Sequence, residues 1–385
     1  MTAIRVLVVD DSVVVRRLLV EALTVDPDIE VAGTAPDGQV ALTKIPLVRP
    51  DLITLDVEMP VMSGLETLRE IRKLYPKLPV IMFSTLTERG ATTTLDALTL
   101  GASDYVTKPS NTGGVEQTRA RIQADLIPKV KALCRAPHEE NLASAPAVVS
   151  APPIAARRGP SKTTGAMQRI DLVAIGCSTG GPNALAALLP SLSGGFPVPI
   201  VIVQHMPPLF TRLLAERLDR QCSVRIREGK EGEPLQTGGA WIAPGDFHMQ
   251  VVREAQAARL AMNQEPPQNS CRPSVDVLFE SVAKEYGPNV LGVVLTGMGS
   301  DGVRGAQCIR TAGGQVIVQN EATSVVWGMP GQVAAAGQAD GIFPLQEMAA
   351  EIEKRANWNR FSSANKSAKT AAQPAPAAAR ILPRT

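Results

Sequence analysis

Leu172-Val173-Ala174-Ile175-Gly176-Cys177-Ser178-Thr179-Gly180-Gly181-Pro182 joins an apolar run to a helical pattern that continues from residue 182 to 189. A short buried strand that breaks at a glycine-rich turn and re-forms as a helix is the grammar of a parallel βαβ unit. The same grammar recurs at residues 199–204 and 290–296, and in the first third of the chain at 4–10, 51–56, 79–84 and 104–107. The fold class expected is therefore α/β. An N-terminal doubly wound parallel sheet is followed by a C-terminal parallel-sheet domain, and residues 238–252, which alternate and carry turn signals, form an antiparallel hairpin insertion.

Length and composition set the boundaries. At 385 residues the chain exceeds one ordinary unit, and 44% hydrophobic residues suffice for two cores. Residues 136–165 and those beyond about 362 are rich in Ala, Pro and Ser and poor in large apolar side chains, so they cannot offset their ordering entropy. The expected division is residues 1–125, a linker over 126–168, a second domain over 169–358, and a disordered tail over 359–385.

Charge excludes some functions. Lys plus Arg number 39 against 37 Asp plus Glu, a net charge of +2, which gives no electrostatic reason to bind nucleic acid or anionic lipid. No apolar run reaches the roughly 18 residues of a spanning helix, and Met1 leads almost directly into a strand, so a cytoplasmic protein without membrane insertion is expected. The five cysteines show no C-x-x-C pairing and read as reduced thiols.

In an open parallel sheet the functional groups gather at the carboxyl ends of the strands. In the first domain those ends are Asp10, Asp11, Asp56, Ser84 and Lys108. Converging carboxylates repel one another unless a cation joins them, and hard oxygen ligands suit Mg²⁺. Asp56 is the natural phosphoryl acceptor, Lys108 can pair with phosphoryl oxygens, and the Ser84 hydroxyl can sense their arrival. Each residue alone could be an ordinary strand-end group; five in order are not easily that.

In the second domain, Gly176-Cys177-Ser178-Thr179-Gly180 satisfies G-x-S-x-G. Glycines permit the tight turn, and the helix N-terminus favours negative charge. A phosphate-binding loop, or a plain turn with Ser178 as cap, would use similar residues, although neither G-x-G-x-x-G nor a Walker ending is present. A serine nucleophile needs a base, and only His138, His205 and His248 exist. His138 falls in the linker and His248 in the alternating segment, whereas His205 ends a buried strand at the same sheet edge as Ser178. Asp301, after the 290–296 strand, supplies the carboxylate. The order Ser178, His205, Asp301 differs from the three familiar triad orders; an α/β-hydrolase order would instead need His248 with Asp219 or Asp246.

The segments Val9-Asp10-Asp11-Ser12, Leu55-Asp56-Val57-Glu58-Met59-Pro60 with Gly64, Ser84, and Tyr105-Val106-Thr107-Lys108-Pro109 resemble the receiver domain of bacterial response regulators over residues 3–125. Gly176–Gly181, Gln204-His205-Met206, residues 242–249 and Thr296-Gly297-Met298-Gly299-Ser300-Asp301-Gly302 resemble the catalytic domain of the chemotaxis protein-glutamate methylesterases over 170–358. The first resemblance implies phosphorylation of Asp56 by a histidine kinase, Mg²⁺ held by Asp11, Asp56 and the Glu58 carbonyl with Asp10 assisting, and a switch through Ser84 and Tyr105. The second implies hydrolysis of glutamate methyl esters, and often deamidation of glutamines, on chemoreceptor cytoplasmic domains, with the unphosphorylated receiver obstructing the site. Oxyanion donors are expected at Thr179 and at the Met298 N–H. Ester hydrolysis by this route needs no cofactor. The reading of a different class is a response regulator whose second domain only binds a partner or nucleotide.

Overall fold

The apolar runs of the first half become the strands β1 (Ile4–Val9), β2 (Ile29–Ala35), β3 (Leu52–Asp56), β4 (Val80–Ser84) and β5 (Asp104–Thr107). Between them run α1 (Val13–Leu23), α2 (Gly38–Val48), α3 (Gly64–Leu74) and α4 (Glu88–Thr99), and α5 (Val115–Cys134) follows. Side-chain caps start the helices. Ser12, Asp37 and Thr87 accept from backbone N–H groups of α1, α2 and α4, and Ser63 forms a reciprocal capping box with Glu66 at α3. All strands pair in parallel in the order β2-β1-β3-β4-β5. Helices cover both faces, so β3 and β4 are buried along their whole length. The computed structural model describes residues 2–108, 114–134, 168–254 and 257–358. The linker segment 136–165, the tail, His138 and Pro109 lie outside them.

Two expected boundaries move. The first domain does not end at residue 125, because α5 continues to Cys134. Ile122, Leu126 and Val130 recur every four residues along it and are buried against Leu19, Phe83 and Val106. Pro128 within the helix is a breaker signal that obscures this face in the sequence. The hairpin also shifts. Residues 239–242 form not an antiparallel arm but a fully buried parallel strand of the main sheet.

The second domain is built from β6 (Leu172–Cys177), α6 (Gly181–Leu188), β7 (Ile200–Gln204), α7 (Pro208–Asp219), β8 (Arg225–Glu228) and β9 (Gly239–Ile242). Next come β10 (His248–Glu254) and β11 (Ala257–Asn263), which make the antiparallel hairpin. Then follow α8 (Val275–Tyr286), β12 (Val290–Val294), α9 (Val303–Thr311), β13 (Gln315–Gln319), α10 (Met329–Ala335), β14 (Gly341–Phe343) and α11 (Leu345–Asn357). Seven parallel strands lie in the order β14-β13-β12-β6-β7-β9-β8. The chain leaves β6 toward β7 on one side and returns to β12 on the other, so the crevice at the carboxyl ends of β6 and β12 is a topological switch point.

The two domains are packed together. The receiver-like face formed by α4 and β5 meets α6 and α7, and one apolar cluster runs through Leu95, Leu98 and Tyr105 into Phe210, Leu213 and Leu214.

Candidate active site

Ser178 follows β6, His205 follows β7, and Asp301 lies in the loop after β12, so neighbouring parallel strands deliver all three to one edge. The turn that exposes Ser178 needs Gly180 at φ +78°, a left-handed conformation that side chains disfavour. Ser178 N–H donates to Thr296 O at 3.0 Å, and His205 N–H to Cys177 O at 3.2 Å, which fixes both backbones. His205 Nε2 lies 2.9 Å from Asp301 Oδ2. With that nitrogen carrying the proton, Nδ1 keeps the lone pair and is the basic atom. Among the described residues no hydrogen bond joins Ser178 Oγ to His205; such bonds often tighten only when substrate is bound.

Asp301 is almost fully buried and heavily satisfied. Oδ1 accepts from Ser274 Oγ at 2.9 Å, Asn269 Nδ2 at 2.9 Å and Asp276 N–H at 3.1 Å, while Oδ2 accepts from Val275 N–H at 2.7 Å. Burial works to raise its pKa, but the bond with His205, that cation's charge and the N–H donors outweigh it and hold the carboxyl below its ordinary value. For His205 burial favours the neutral ring; the Asp301 bond, the adjacent Cys271 thiol and their charges overcome this and raise its pKa. Cys271 Sγ is 3.5 Å from His205 Nδ1.

Gln204, quoted above only as part of a motif, has a distinct position. Its Nε2 donates to Ser178 O at 3.0 Å and to His205 O at 3.3 Å, so one amide spans the backbones of both residues. Its Oε1 rests against Gly181, where a Cβ would approach within 1.9 Å. Neither Thr179 N–H nor Met298 N–H has an acceptor among the described residues. His248 is fully buried and bonded through Nε2 to Pro266 O at 3.2 Å. Asn269, Ser274 and Cys271 were not legible as site residues; Ser274, directly before the helical pattern at 275, carried only the weak signal of a helix cap.

At the carboxyl edge of the first sheet, Asp10, Asp11 and Asp56 present carboxylate oxygens within 4.8 Å of one another. Lys108 Nζ sits 2.9 Å from both Asp10 Oδ2 and Asp56 Oδ1. Among the described residues Asp56 Oδ2 is buried without a hydrogen-bond partner, an orphaned oxygen of the kind a hard cation or a phosphoryl group would engage. Burial, and then the Asp10 charge, raise the Asp56 pKa against the opposing effect of Lys108. Glu58 N–H approaches Asp56 Oδ1 at 3.4 Å, which brings its peptide to the site. Ser84 Oγ donates to Gly90 O at 3.1 Å at the start of α4.

The two sites are linked through the domain interface. Tyr105 stacks on Phe210, with ring centroids 4.6 Å apart and planes 11° apart. Thr179, the neighbour of Ser178, donates to Asp104 Oδ2 at 2.7 Å. Arg217 pairs with Asp96 at 2.6 Å and Arg212 with Glu88 at 3.2 Å.

Comparison with known proteins agrees over nearly the whole chain. The CheB methylesterase family model matches residues 173–352, and that of the response regulator receiver domain matches residues 6–118. A protein-glutamate methylesterase/protein-glutamine glutaminase of Trichodesmium erythraeum is 54% identical over 355 residues, covering 92% of this chain and 99% of that one. One from a Nocardioides species is 51% identical, covering 92% and 96%. The crystal structure of the Thermotoga maritima CheB methylesterase catalytic domain is 38% identical with a TM-score of 0.48, covering 49% of this chain and 99% of its own. Among the described residues no helix is long and apolar enough to cross a membrane.

Proposed function

This chain belongs to the CheB methylesterase family, with a response-regulator receiver domain ahead of the catalytic domain, and we propose that it demethylates glutamate methyl esters and deamidates glutamines on chemoreceptor cytoplasmic domains under control by phosphorylation. The reaction belongs to bacterial chemotaxis, and its setting is the cytoplasm. The observation that carries the chemistry is the 2.9 Å contact between His205 Nε2 and Asp301 Oδ2 at the switch point that also presents Ser178.

The steps follow from the tautomer that the Asp301 contact sets on His205. Ser178 Oγ attacks the ester carbonyl carbon while His205 Nδ1 takes its proton, and Asp301 stabilises the resulting imidazolium. The oxyanion is met by the N–H groups of Thr179 and Met298. Collapse breaks the bond to the methoxy oxygen, His205 returns the proton, and methanol leaves. Water, deprotonated by His205, then cleaves the acyl-enzyme. A glutamine side chain follows the same path and releases ammonia. No cofactor enters these steps.

The receiver's acceptor is Asp56, phosphorylated by a histidine kinase. Asp10, Asp11, Asp56 and the Glu58 carbonyl would hold Mg²⁺, which supplies neutralisation of phosphoryl charge when bound. Lys108 pairs with the phosphoryl oxygens, and Ser84 and Tyr105 relay their arrival. Control is by masking: α4 and β5 lie over the catalytic domain beside Ser178, and rearrangement of Ser84 and Tyr105 shifts the population toward an open enzyme. Methanol release from methylated receptor membranes tests the central assignment. Ser178→Ala should abolish it, and full retention would remove Ser178 as nucleophile.

A further inference from the structure

We propose that the outer edge of His205 is also a binding site for a divalent cation of the zinc class, which inhibits the enzyme by taking the lone pair that catalysis requires. The side chains of His205, Cys271 and Asp301 bring ligand atoms within 4.8 Å of one another. Their arrangement matches what a soft-to-borderline ion selects. Zinc bound tetrahedrally, with Zn–N about 2.0 Å and Zn–S about 2.3 Å, holds those two ligand atoms about 3.5 Å apart. Cys271 Sγ and His205 Nδ1 are 3.5 Å apart.

The surroundings complete the argument. A metal-bound imidazole usually donates its other N–H to a carboxylate, which fixes the ring and raises its basicity. Asp301 Oδ2 occupies that place at 2.9 Å from Nε2, and its other oxygen is held by Ser274, Asn269 and the Asp276 N–H. Cys271 is equally constrained: its N–H and C=O both bond with Gln268, and Arg272, next in the chain, is tied to Asp246 at 2.6 Å. Little side-chain or loop freedom therefore remains to be lost on binding.

Binding is an exchange without redox change. The cation forms one bond to Sγ and one to Nδ1, the thiol proton passes to solvent, and water fills the remaining positions. The two candidate cation sites among the described residues are sorted by donor hardness. Nitrogen and sulfur at Cys271 and His205 favour zinc-class ions, whereas the all-oxygen Asp10, Asp11 and Asp56 cluster favours Mg²⁺.

The inhibitory consequence rests on His205 being the catalytic base; the binding itself does not. Cobalt(II) added to the full chain should give a thiolate-to-cobalt charge-transfer absorption in the near ultraviolet, a readout that needs no turnover. Cys271→Ala should lose the band, and His205→Gln should lose it while keeping the thiol. Asp56→Asn should retain it. Should Cys271→Ala fail to fold, Cys271→Ser carries the same expectation. In the methanol assay, Zn²⁺ should inhibit the wild-type chain, reversibly on chelation. Each Cys271 variant, measured against its own metal-free rate, should need at least about 10- to 100-fold more Zn²⁺, the cost of losing even a partner one step outside the ligands. A missing band in the wild type, a band that survives loss of Cys271, or equal zinc sensitivity in the Cys271 variants would each overturn the proposal. A band of the expected behaviour without zinc inhibition would instead place the error in the role given to His205.

Discussion

Thr179 Oγ1 donates a 2.7 Å hydrogen bond to Asp104 Oδ2 across the domain interface. The residue after Ser178 is thereby held by the residue before the receiver's Tyr105. Both partners are buried, and Lys129 Nζ lies 3.5 Å from the same carboxylate oxygen. A hydrogen bond to a charged group contributes about 1.5 kcal/mol or more, roughly tenfold in an equilibrium. Asp104→Ala should therefore raise the unphosphorylated rate of methanol release toward the stimulated rate, up to roughly tenfold. Unchanged basal and stimulated rates would separate this contact from control.

The direction of the His205 shift sets the pH profile. Burial alone would lower its pKa, but Asp301 and the Cys271 thiol raise it above the ordinary 6.5. The lone pair needed for attack is then exposed only as pH rises past that raised value, so kcat/KM should climb through an apparent pKa above 6.5. Asp301→Asn removes the charge that favours the imidazolium. Its ascending limb should move down in pH, while the plateau falls by about 1,000-fold or more. A limb that stays in place would belong to another group.

What the sequence made legible is what local pattern encodes. Unbroken apolar runs such as 172–177 and 200–204 must be buried on both faces, and the residues that end them must meet at one edge, so Ser178, His205 and Asp301 could be brought together before any coordinates. The edge strand β8 carries no such run, because Arg225 and Arg227 alternate with Ile226. Asn269, Cys271 and Ser274 reach the site from a loop without periodicity, and only the distant packing of Asp301 and His205 gives them a role. The stack of Tyr105 on Phe210 joins two domains, a relation that no local pattern records.

Among the described residues Asp56 Oδ2 is buried without a partner while Oδ1 meets Lys108, so one oxygen is committed and one is available. Asp56→Asn should accept no phosphoryl group from a kinase or a small acyl phosphate, and should keep basal methanol release while losing its stimulation. Chelation of Mg²⁺ should do the same to the wild-type chain. Radiolabel retained on the Asp56→Asn chain would move the acceptor elsewhere.

Gln204 makes a prediction that no motif comparison requires. Its amide spans Ser178 O and His205 O, at 3.0 and 3.3 Å, so it sets the spacing between nucleophile and base without touching either reacting atom. Gln204→Met keeps the bulk but removes the donors. His205 O then has one donor fewer, whereas Ser178 O still accepts from Gly181 N–H at 2.7 Å. The cost to stability should be about 1–3 kcal/mol, read as a lower Tm. A misplacement of under an ångström between Ser178 and His205 is enough to cut the rate by roughly 10- to 100-fold. Because the substrate-binding surface is untouched, that loss should fall on kcat and leave KM near its original value. Gln204→Glu discriminates further: with its carboxylate ionised it faces two carbonyl oxygens, so its kcat should recover in part as the pH is lowered and the acid becomes a donor again. A Gln204→Met enzyme with a lowered Tm but full kcat would confine the residue to holding the fold.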